Sequence, residues 1–224
     1  MKIIYFCILT SLLFACQTNQ NEISDNADSL DTKTSDTLLK SETVYLEDLL
    51  NIEEDELIKR YGKENITLDT IWGAEGMFYM GTKLFAKTPK EVIISWSDTL
   101  YHSKIVTLTV NSGYNIETGE LELYNYWKSK TGISLGTNLK ELVKLNGRDF
   151  KFYGLGWDYG GEVNSWNEGK LDKAGVAVTL GTVNFDNQTA AYNKIVGDQE
   201  FSSSNTNAVK VNPIVLVLTV ANLK

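Results

Sequence analysis

The stretch with the composition most typical of a binding site is FYGLGWDYGGEVNSW, residues 152–166. It places two carboxylates, Asp158 and Glu162, among five aromatic residues and four glycines. Two carboxyl groups at a set separation are what glycoside hydrolysis requires, and aromatic rings stack on sugars. Tyr and Trp also contribute most of the binding energy in many protein interfaces. A half-buried hairpin uses the same residue types for packing, so the sequence leaves both binding and packing open.

No other stretch carries a catalytic signature. His102 is the only histidine, and it lies in a turn-like run between two strand-like segments. One histidine without a cysteine partner cannot form a typical zinc site, and the chain has no Gly-x-Ser-x-Gly nucleophile elbow. We therefore expect His102 to be an exposed turn residue. The sequence predicts no catalytic residue, no metal ligand and no cofactor.

The N-terminus, MKIIYFCILTSLLFAC, has the layout of an export signal, because Lys2 precedes an apolar run over residues 3–14. The run is too short for a membrane-spanning helix of about 20 residues. The ending Leu-Phe-Ala-Cys resembles the bacterial lipobox, whose cysteine receives a diacylglyceryl group. We expect a signal peptide over residues 1–15 and a lipid on Cys16, and an ordinary signal peptide is the alternative. A lipid on Cys16 and removal of Cys7 leave no free thiol for disulfides or metals.

The segment after Cys16 predicts a disordered tether, residues 16–43. It has no aromatic residue, six acids and two lysines, so it cannot bury enough apolar surface to offset its chain entropy. Gln17 differs from the Asp that retains lipoproteins at the inner membrane, which favours the outer membrane and leaves its face open. Residues 44–224 carry 18 basic and 23 acidic residues. This negative balance argues against nucleic acid or anionic lipid as a partner.

The remaining chain contains colinear matches that indicate a duplication. ELIKRYG at residues 56–62 matches ELVKLNG at residues 141–147, and Trp72 and Gly76 then align with Trp157 and Gly161. Later strand-like segments align only if the second copy holds an insertion near residues 183–207. We therefore predict a first repeat over residues 44–118 and a second repeat over residues 119–224.

Each repeat reads as a short helix followed by strands. Asn138 is a suitable N-cap for the second helix and Gly147 a suitable left-handed C-cap, while Asn51 would cap the first helix. Segments rich in β-branched and aromatic residues follow each helix. The predicted fold is α+β, with two tandem helix-plus-strand repeats whose helices pack on one face of an antiparallel sheet.

This pattern resembles a known family. A helix that ends near Gly, a Trp-containing strand and the strand–turn–strand VIISWSDTLYHSKIVTLTV resemble the repeat of SmpA/BamE-type outer-membrane lipoproteins. In tandem, over residues 46–110 and 132–220, the unit resembles β-lactamase-inhibitor-protein-like domains, and GISLGTNLKEL is similar to the start of their helix. The GLGWDYGG stretch also resembles lipoproteins of the Bacteroidota. The resemblance implies a non-catalytic module that binds a protein partner with a curved sheet face.

The predicted repeat divides the opening stretch into framework and candidate site. Trp157 and Gly161 have counterparts in the first copy, so they are expected to serve the fold. The candidate binding residues are those without counterparts: Tyr153, Asp158, Tyr159, Glu162 and Trp166. The sequence thus predicts a lipid-anchored cell-envelope protein whose module binds another envelope protein without catalysis. The alternative is a glycan-binding or glycan-cleaving surface lipoprotein.

Overall fold

The structure is a computed structural model that describes residues 44–115, 117–183 and 189–223. The predicted signal peptide, the predicted lipidation site Cys16 and the predicted tether lie outside the described residues. Of the predicted insertion, residues 184–188 also lie outside them.

The described residues form strands much more often than helices. The elements in chain order are β1 (Val44–Tyr45), α1 (Glu54–Tyr61), β2 (Ile66–Trp72), β3 (Phe78–Leu84), β4 (Val92–Trp96), β5 (Ile105–Asn111), β6 (Gly113–Tyr114), β7 (Leu121–Glu122), β8 (Trp127–Lys128), α2 (Leu139–Asn146), β9 (Lys151–Tyr153), β10 (Val163–Ser165), β11 (Val176–Gly181), β12 (Glu200–Ser202), α3 (Thr206–Val211) and β13 (Ile214–Ala221).

The α+β prediction is wrong, because the fold is mostly β. Thirteen strands lie in several, mainly antiparallel, sheets, and the described residues contain only three short α-helices. The largest sheet has six antiparallel strands in the order β11-β13-β5-β4-β3-β2. A second sheet has the order β10-β9-β12, and the pairs β1-β8 and β6-β7 complete the set.

The arrangement as two repeats, with helices packed on a sheet, is also wrong. β2 pairs with β3 along seven residues inside the six-stranded sheet. The segment aligned with it in the second copy is β9, which has three residues and belongs to the three-stranded sheet. β9 pairs there with β12, a strand supplied by the predicted insertion. The residues aligned between the two predicted repeats end helices or alternate along strands. Such local roles occur in many folds, so they do not require that the two segments share the same arrangement of strands.

The local helix signals were interpreted more successfully than the overall fold. Asn138 caps α2 through a capping box, in which its side chain accepts a hydrogen bond from the Glu141 N–H. Gly147 ends the same helix in the left-handed conformation, as predicted. The predicted cap of the first helix is wrong, because α1 begins after Glu53 rather than after Asn51.

The core lies against the face of the six-stranded sheet that carries its apolar residues. Ile94, Leu108 and Val220 are direct cross-strand neighbours on this face, and all three are buried. They belong to one apolar cluster with Leu57 of α1, Leu142 of α2, Phe152 of β9 and Phe150, which directly precedes β9. The opposite face carries Thr109 and Thr219, whose hydroxyl groups are hydrogen-bonded to each other at 2.9 Å.

A buried asparagine connects α2 to the segment between β10 and β11. Asn146 is 1% exposed. Its Nδ2 donates to the carbonyl oxygen of Trp166 at 2.9 Å and to that of Arg148 at 3.1 Å, and its Oδ1 accepts from the Leu171 N–H at 3.1 Å. These bonds satisfy backbone groups that strand pairing leaves without a partner, which buried segments require.

We expect Asn146→Ala to lower the free energy of unfolding by about 1–3 kcal/mol. The truncation leaves the buried Leu171 N–H without an acceptor, whereas the Trp166 carbonyl oxygen still accepts from the Gly169 N–H at 2.9 Å. Urea denaturation measures the change. The control is Asn193→Ala at an exposed asparagine, for which a change below about 0.5 kcal/mol is expected. Equal effects of the two substitutions would contradict this role of Asn146.

Candidate binding site

Residues 153–162, here called the aromatic loop, connect β9 to β10 and lie directly against the edge strand β11. The Gly161 N–H donates to the Tyr153 carbonyl oxygen at 3.0 Å, and the Leu180 N–H donates to the Gly161 carbonyl oxygen at 2.8 Å. Gly161 has a φ of 84°, and a Cβ atom there would lie 1.9 Å from the Leu180 carbonyl oxygen. Only glycine permits this approach, so Gly161 attaches the loop to the sheet.

Three rings of the aromatic loop pack against one another. Trp157 contacts Tyr153 and Tyr159 edge to face, with centroid distances of 5.9 and 5.4 Å. Its Nε1–H donates to the Gly154 carbonyl oxygen at 2.9 Å, which fixes the orientation of the indole. All three rings are partly exposed. The structure therefore brings Tyr153 and Tyr159 together, with Trp157 between them.

Trp166 is the candidate that the structure excludes from the surface. Its side chain is 7% exposed and packs against Phe150 at a centroid distance of 5.2 Å. Its Nε1–H donates to the Val176 carbonyl oxygen at 3.3 Å. The prediction of Trp166 as a binding residue is wrong, because its indole belongs to the core.

The negative charges of three carboxylates act on Tyr159. Asp158 and Glu162 are exposed residues of the aromatic loop, and Glu75 lies in the turn between β2 and β3. Loss of hydration raises the pKa of Tyr159, and the negative charges of Glu75, Glu162 and Asp158 raise it further. Partial burial also raises the pKa of the Glu162 carboxyl. The turn between β2 and β3 thus lies close to the aromatic loop, although about 80 residues separate them in sequence.

These three carboxylates, here called the acidic rim, have no basic partner. Among the residues that the structure describes, no Lys, Arg or His forms an ion pair with Glu75, Asp158 or Glu162. Other exposed acids of the same chain are paired, as Asp69 is with Lys83 at 2.8 Å. The acidic rim is therefore a concentration of uncompensated negative charge beside exposed aromatic rings.

A groove of about 530 Å³ runs beside the aromatic loop. Its floor includes Asn111, Val217 and Thr179, which are cross-strand neighbours on β5, β13 and β11. Trp157 and Tyr192 also line it. The other lining residues are Ser112, Tyr114, Leu155, Gly156, Gly160, Leu180, Gly181, Thr182 and Leu216. Most of this surface is apolar, and its volume is in the range of about 300–1,000 Å³ that is typical of ligand sites.

Sequence reasoning underestimated Trp157. The predicted repeat aligns Trp157 with Trp72 and places it in the framework, yet the two side chains have different environments. Trp72 is 69% exposed at the end of β2, whereas Trp157 is partly buried and lines the groove. Of the five predicted binding residues, Asp158 and Glu162 are exposed and Tyr153 and Tyr159 are partly exposed, but none of the five lines the groove.

A second apolar surface was missed entirely. The hairpin of β2 and β3 exposes six large apolar side chains, here called the hairpin surface: Leu68, Trp72, Met77, Phe78, Tyr79 and Met80. The run Met-Phe-Tyr-Met at residues 77–80 was the available signal. Since successive side chains of a strand point to opposite faces, four consecutive large apolar residues cannot all reach one core.

His102 occupies a different environment from the predicted one. It is 8% exposed, and its ring stacks on Trp96 with a centroid distance of 5.1 Å. Its Nδ1 lies 2.9 Å from the Glu54 carboxylate, so the side chain connects the turn after β4 to the start of α1. His102 is thus a packed structural residue and not an exposed one, and it does not line the groove.

The described residues offer few other functional features. No cluster of three or more His, Cys, Asp or Glu side chains within them could hold a metal ion. In the same ranges, no helix has the length and apolar character needed to cross a membrane. Comparison of the chain with protein-family models, with curated proteins and with solved structures gave no match.

We expect Trp166→Ala to lower the free energy of unfolding by about 3–5 kcal/mol, as is typical when a large aromatic side chain is removed from a core. Trp166→Phe retains most of the packing and should cost less, because it loses mainly the hydrogen bond to Val176. Guanidinium denaturation followed by circular dichroism measures both changes. The control is Trp72→Ala at an exposed indole, for which little change in stability is expected. A small effect of Trp166→Ala would contradict its placement in the core.

We expect Gly161→Ala to release the aromatic loop from β11, because the added methyl group would overlap the Leu180 carbonyl oxygen. The Leu180 amide then loses its acceptor and should exchange with solvent faster in hydrogen-exchange mass spectrometry. Gly76→Ala is a matched control, since Gly76 has a φ of 72° but no atom within 4 Å of an added Cβ. It should cost only the backbone strain of about 1–2 kcal/mol. Unchanged exchange at Leu180 in Gly161→Ala would contradict the role of the close approach.

Proposed function

We propose that this protein is a non-catalytic protein-binding module of a lipid-anchored cell-envelope protein. The observation that carries the proposal is the hairpin surface, where Trp72, Met77 and Phe78 are 69%, 65% and 65% exposed. Large apolar side chains exposed together on a soluble domain typically mark an interaction site, because their hydration is unfavourable.

The composition of the hairpin surface supports a protein partner. Trp and Tyr are the residue types most enriched among interface hot spots, and Met adapts to irregular partner surfaces. The rings of Trp72 and Phe78 contact each other across the two strands at a centroid distance of 5.3 Å. This contact gives the exposed pair a defined shape, so less conformational entropy is lost when a partner binds.

The groove and the aromatic loop extend the proposed interface. The charge of Glu75 acts on Tyr159, which places the end of the hairpin beside the aromatic loop. A partner that covers the end of the hairpin would therefore lie next to the aromatic loop, whose Trp157 lines the groove. The envelope location follows from the predicted lipid on Cys16 and from the predicted tether of residues 16–43, which would hold the module near a membrane.

Glycan binding is the second candidate, and the polar groups of the groove favour it. The groove is lined by the polar residues Asn111 and Thr179 together with Trp157. Aromatic rings beside amide and hydroxyl groups can stack on a sugar ring and hydrogen-bond to its hydroxyl groups. A glycan array separates the candidates: reproducible glycan binding that Trp157→Ala abolishes would favour this alternative.

We expect the double substitution Trp72→Ser with Phe78→Ser to weaken partner binding about tenfold or more, because truncation of hot-spot aromatics costs about 2 kcal/mol or more. The full chain, tagged at its C-terminus, is cross-linked in envelope preparations, and the cross-linked partner is identified and quantified. The control is Leu100→Ser with Tyr101→Ser, an equally exposed apolar pair in the turn between β4 and β5. Loss of the same partner from both variants, or from neither, would contradict the proposed interface.

A further inference from the structure

We propose that the groove beside the aromatic loop binds an extended segment of a partner protein that carries Lys or Arg next to aliphatic side chains. This inference rests on the proposed protein-binding function and names the chemistry of the partner. It follows from three features of the described residues: an apolar groove of limited size, an unpaired acidic rim and exposed aromatic rings.

The groove itself selects a short apolar element. Its volume of about 530 Å³ accommodates a few side chains but not a folded domain. Leu155, Leu216 and Val217 contribute aliphatic surface, and Trp157, Tyr114 and Tyr192 contribute aromatic surface. Aliphatic side chains of an extended segment would gain about 25 cal/mol for each Å² of apolar surface that they bury here.

The acidic rim selects the charge of the occupant. Asp158 directly follows Trp157, and Glu162 pairs with Thr179 in an isolated antiparallel bridge, and both Trp157 and Thr179 line the groove. No acid of the rim has a basic partner among the described residues, so a cation from another molecule would meet uncompensated negative charge. Residues 44–224 carry 18 basic and 23 acidic residues, so an acidic segment would be repelled over a longer range as well.

The aromatic loop provides a second attraction for a cation. Tyr153, Trp157 and Tyr159 are partly exposed, and the electron-rich faces of such rings attract ammonium and guanidinium groups. The chain already contains one contact of this kind, because Lys90 Nζ lies 4.4 Å from the ring centroid of Tyr126. A guanidinium group can stack on a ring and also bind a carboxylate with two hydrogen bonds, so Arg fits this combination better than Lys.

Three labelled peptides test the inference with the full chain purified in detergent. The first alternates Leu with Arg, the second alternates Leu with Glu, and the third alternates Ser with Arg, all at the same length. We expect fluorescence anisotropy to show that the Leu-Arg peptide binds at least about tenfold more tightly than either of the others. Its affinity should fall as salt is raised, because salt screens the acidic rim.

Substitutions locate the site of binding. Asp158→Asn with Glu162→Gln should weaken binding of the Leu-Arg peptide about fivefold to tenfold, and Trp157→Leu should also weaken it. Asp172→Asn is the control, since Asp172 is an exposed acid that belongs neither to the aromatic loop nor to the acidic rim. Circular dichroism and thermal unfolding confirm that each variant remains folded, so a loss of binding cannot be caused by unfolding.

Several results would overturn the inference. Equal affinities for the Leu-Arg and Leu-Glu peptides would show that charge does not select the occupant. Equal binding by the double variant and Asp172→Asn would show that the acidic rim is not involved, and no binding of any peptide would exclude an extended segment. None of these results removes the proposed function, which depends on the hairpin surface. If substitution of Trp72 and Phe78 abolishes cross-linking to the partner but no peptide binds, the proposed function stands and the inference about the groove fails.

Discussion

The close approach of Gly161 to the backbone of Leu180 is the constraint on which the candidate site depends. Because Gly161 has no Cβ, its carbonyl oxygen can accept the Leu180 N–H at the edge of the six-stranded sheet. This bond places the aromatic loop beside the open face of the sheet, and Trp157 then forms one wall of the groove. One hydrogen bond between backbone atoms of Leu180 and Gly161 thus helps to position the side chain of Trp157, which takes no part in that bond.

The site combines segments that are distant in the chain. Its floor comes from Asn111 at the end of β5, Thr179 of β11 and Val217 in the middle of β13, and its aromatic wall comes from the loop after β9. Glu75, in the turn after β2, adds a negative charge that acts on Tyr159 of that loop. Antiparallel pairing of β5 with β13 brings the two halves of the sheet together. The hairpin surface would offer apolar contact, which favours affinity. The acidic rim would offer negative charge, which favours selection among partners.

Local structure was largely predictable, whereas the architecture was not. The capping box of Asn138 and the left-handed Gly147 depend on residues within one turn of α2, so their sequence signals are direct. The prediction of α+β repeats is wrong because similar local signals near residues 56–62 and 141–147 specify similar helix ends but not a shared strand arrangement. β12 pairs with β9 and draws the second segment into a separate sheet. Strand pairing over about 50 residues depends on competing partners, which a pattern of residue types does not contain.

The two tryptophans of the stretch 152–166 show what each level of information decides. The sequence by itself determined that this stretch is rich in aromatic residues, glycines and acids, and that Asp158 and Glu162 are charged groups beside rings. Only the tertiary structure decided that Trp166 packs on Phe150 in the core and that Trp157 lines the groove. The indole groups are chemically identical, so their burial is determined by the segments that pack against them. Which segments pack against each indole depends on the strand register and on the backbone contact at Gly161. The register and this contact form only when distant parts of the chain come together.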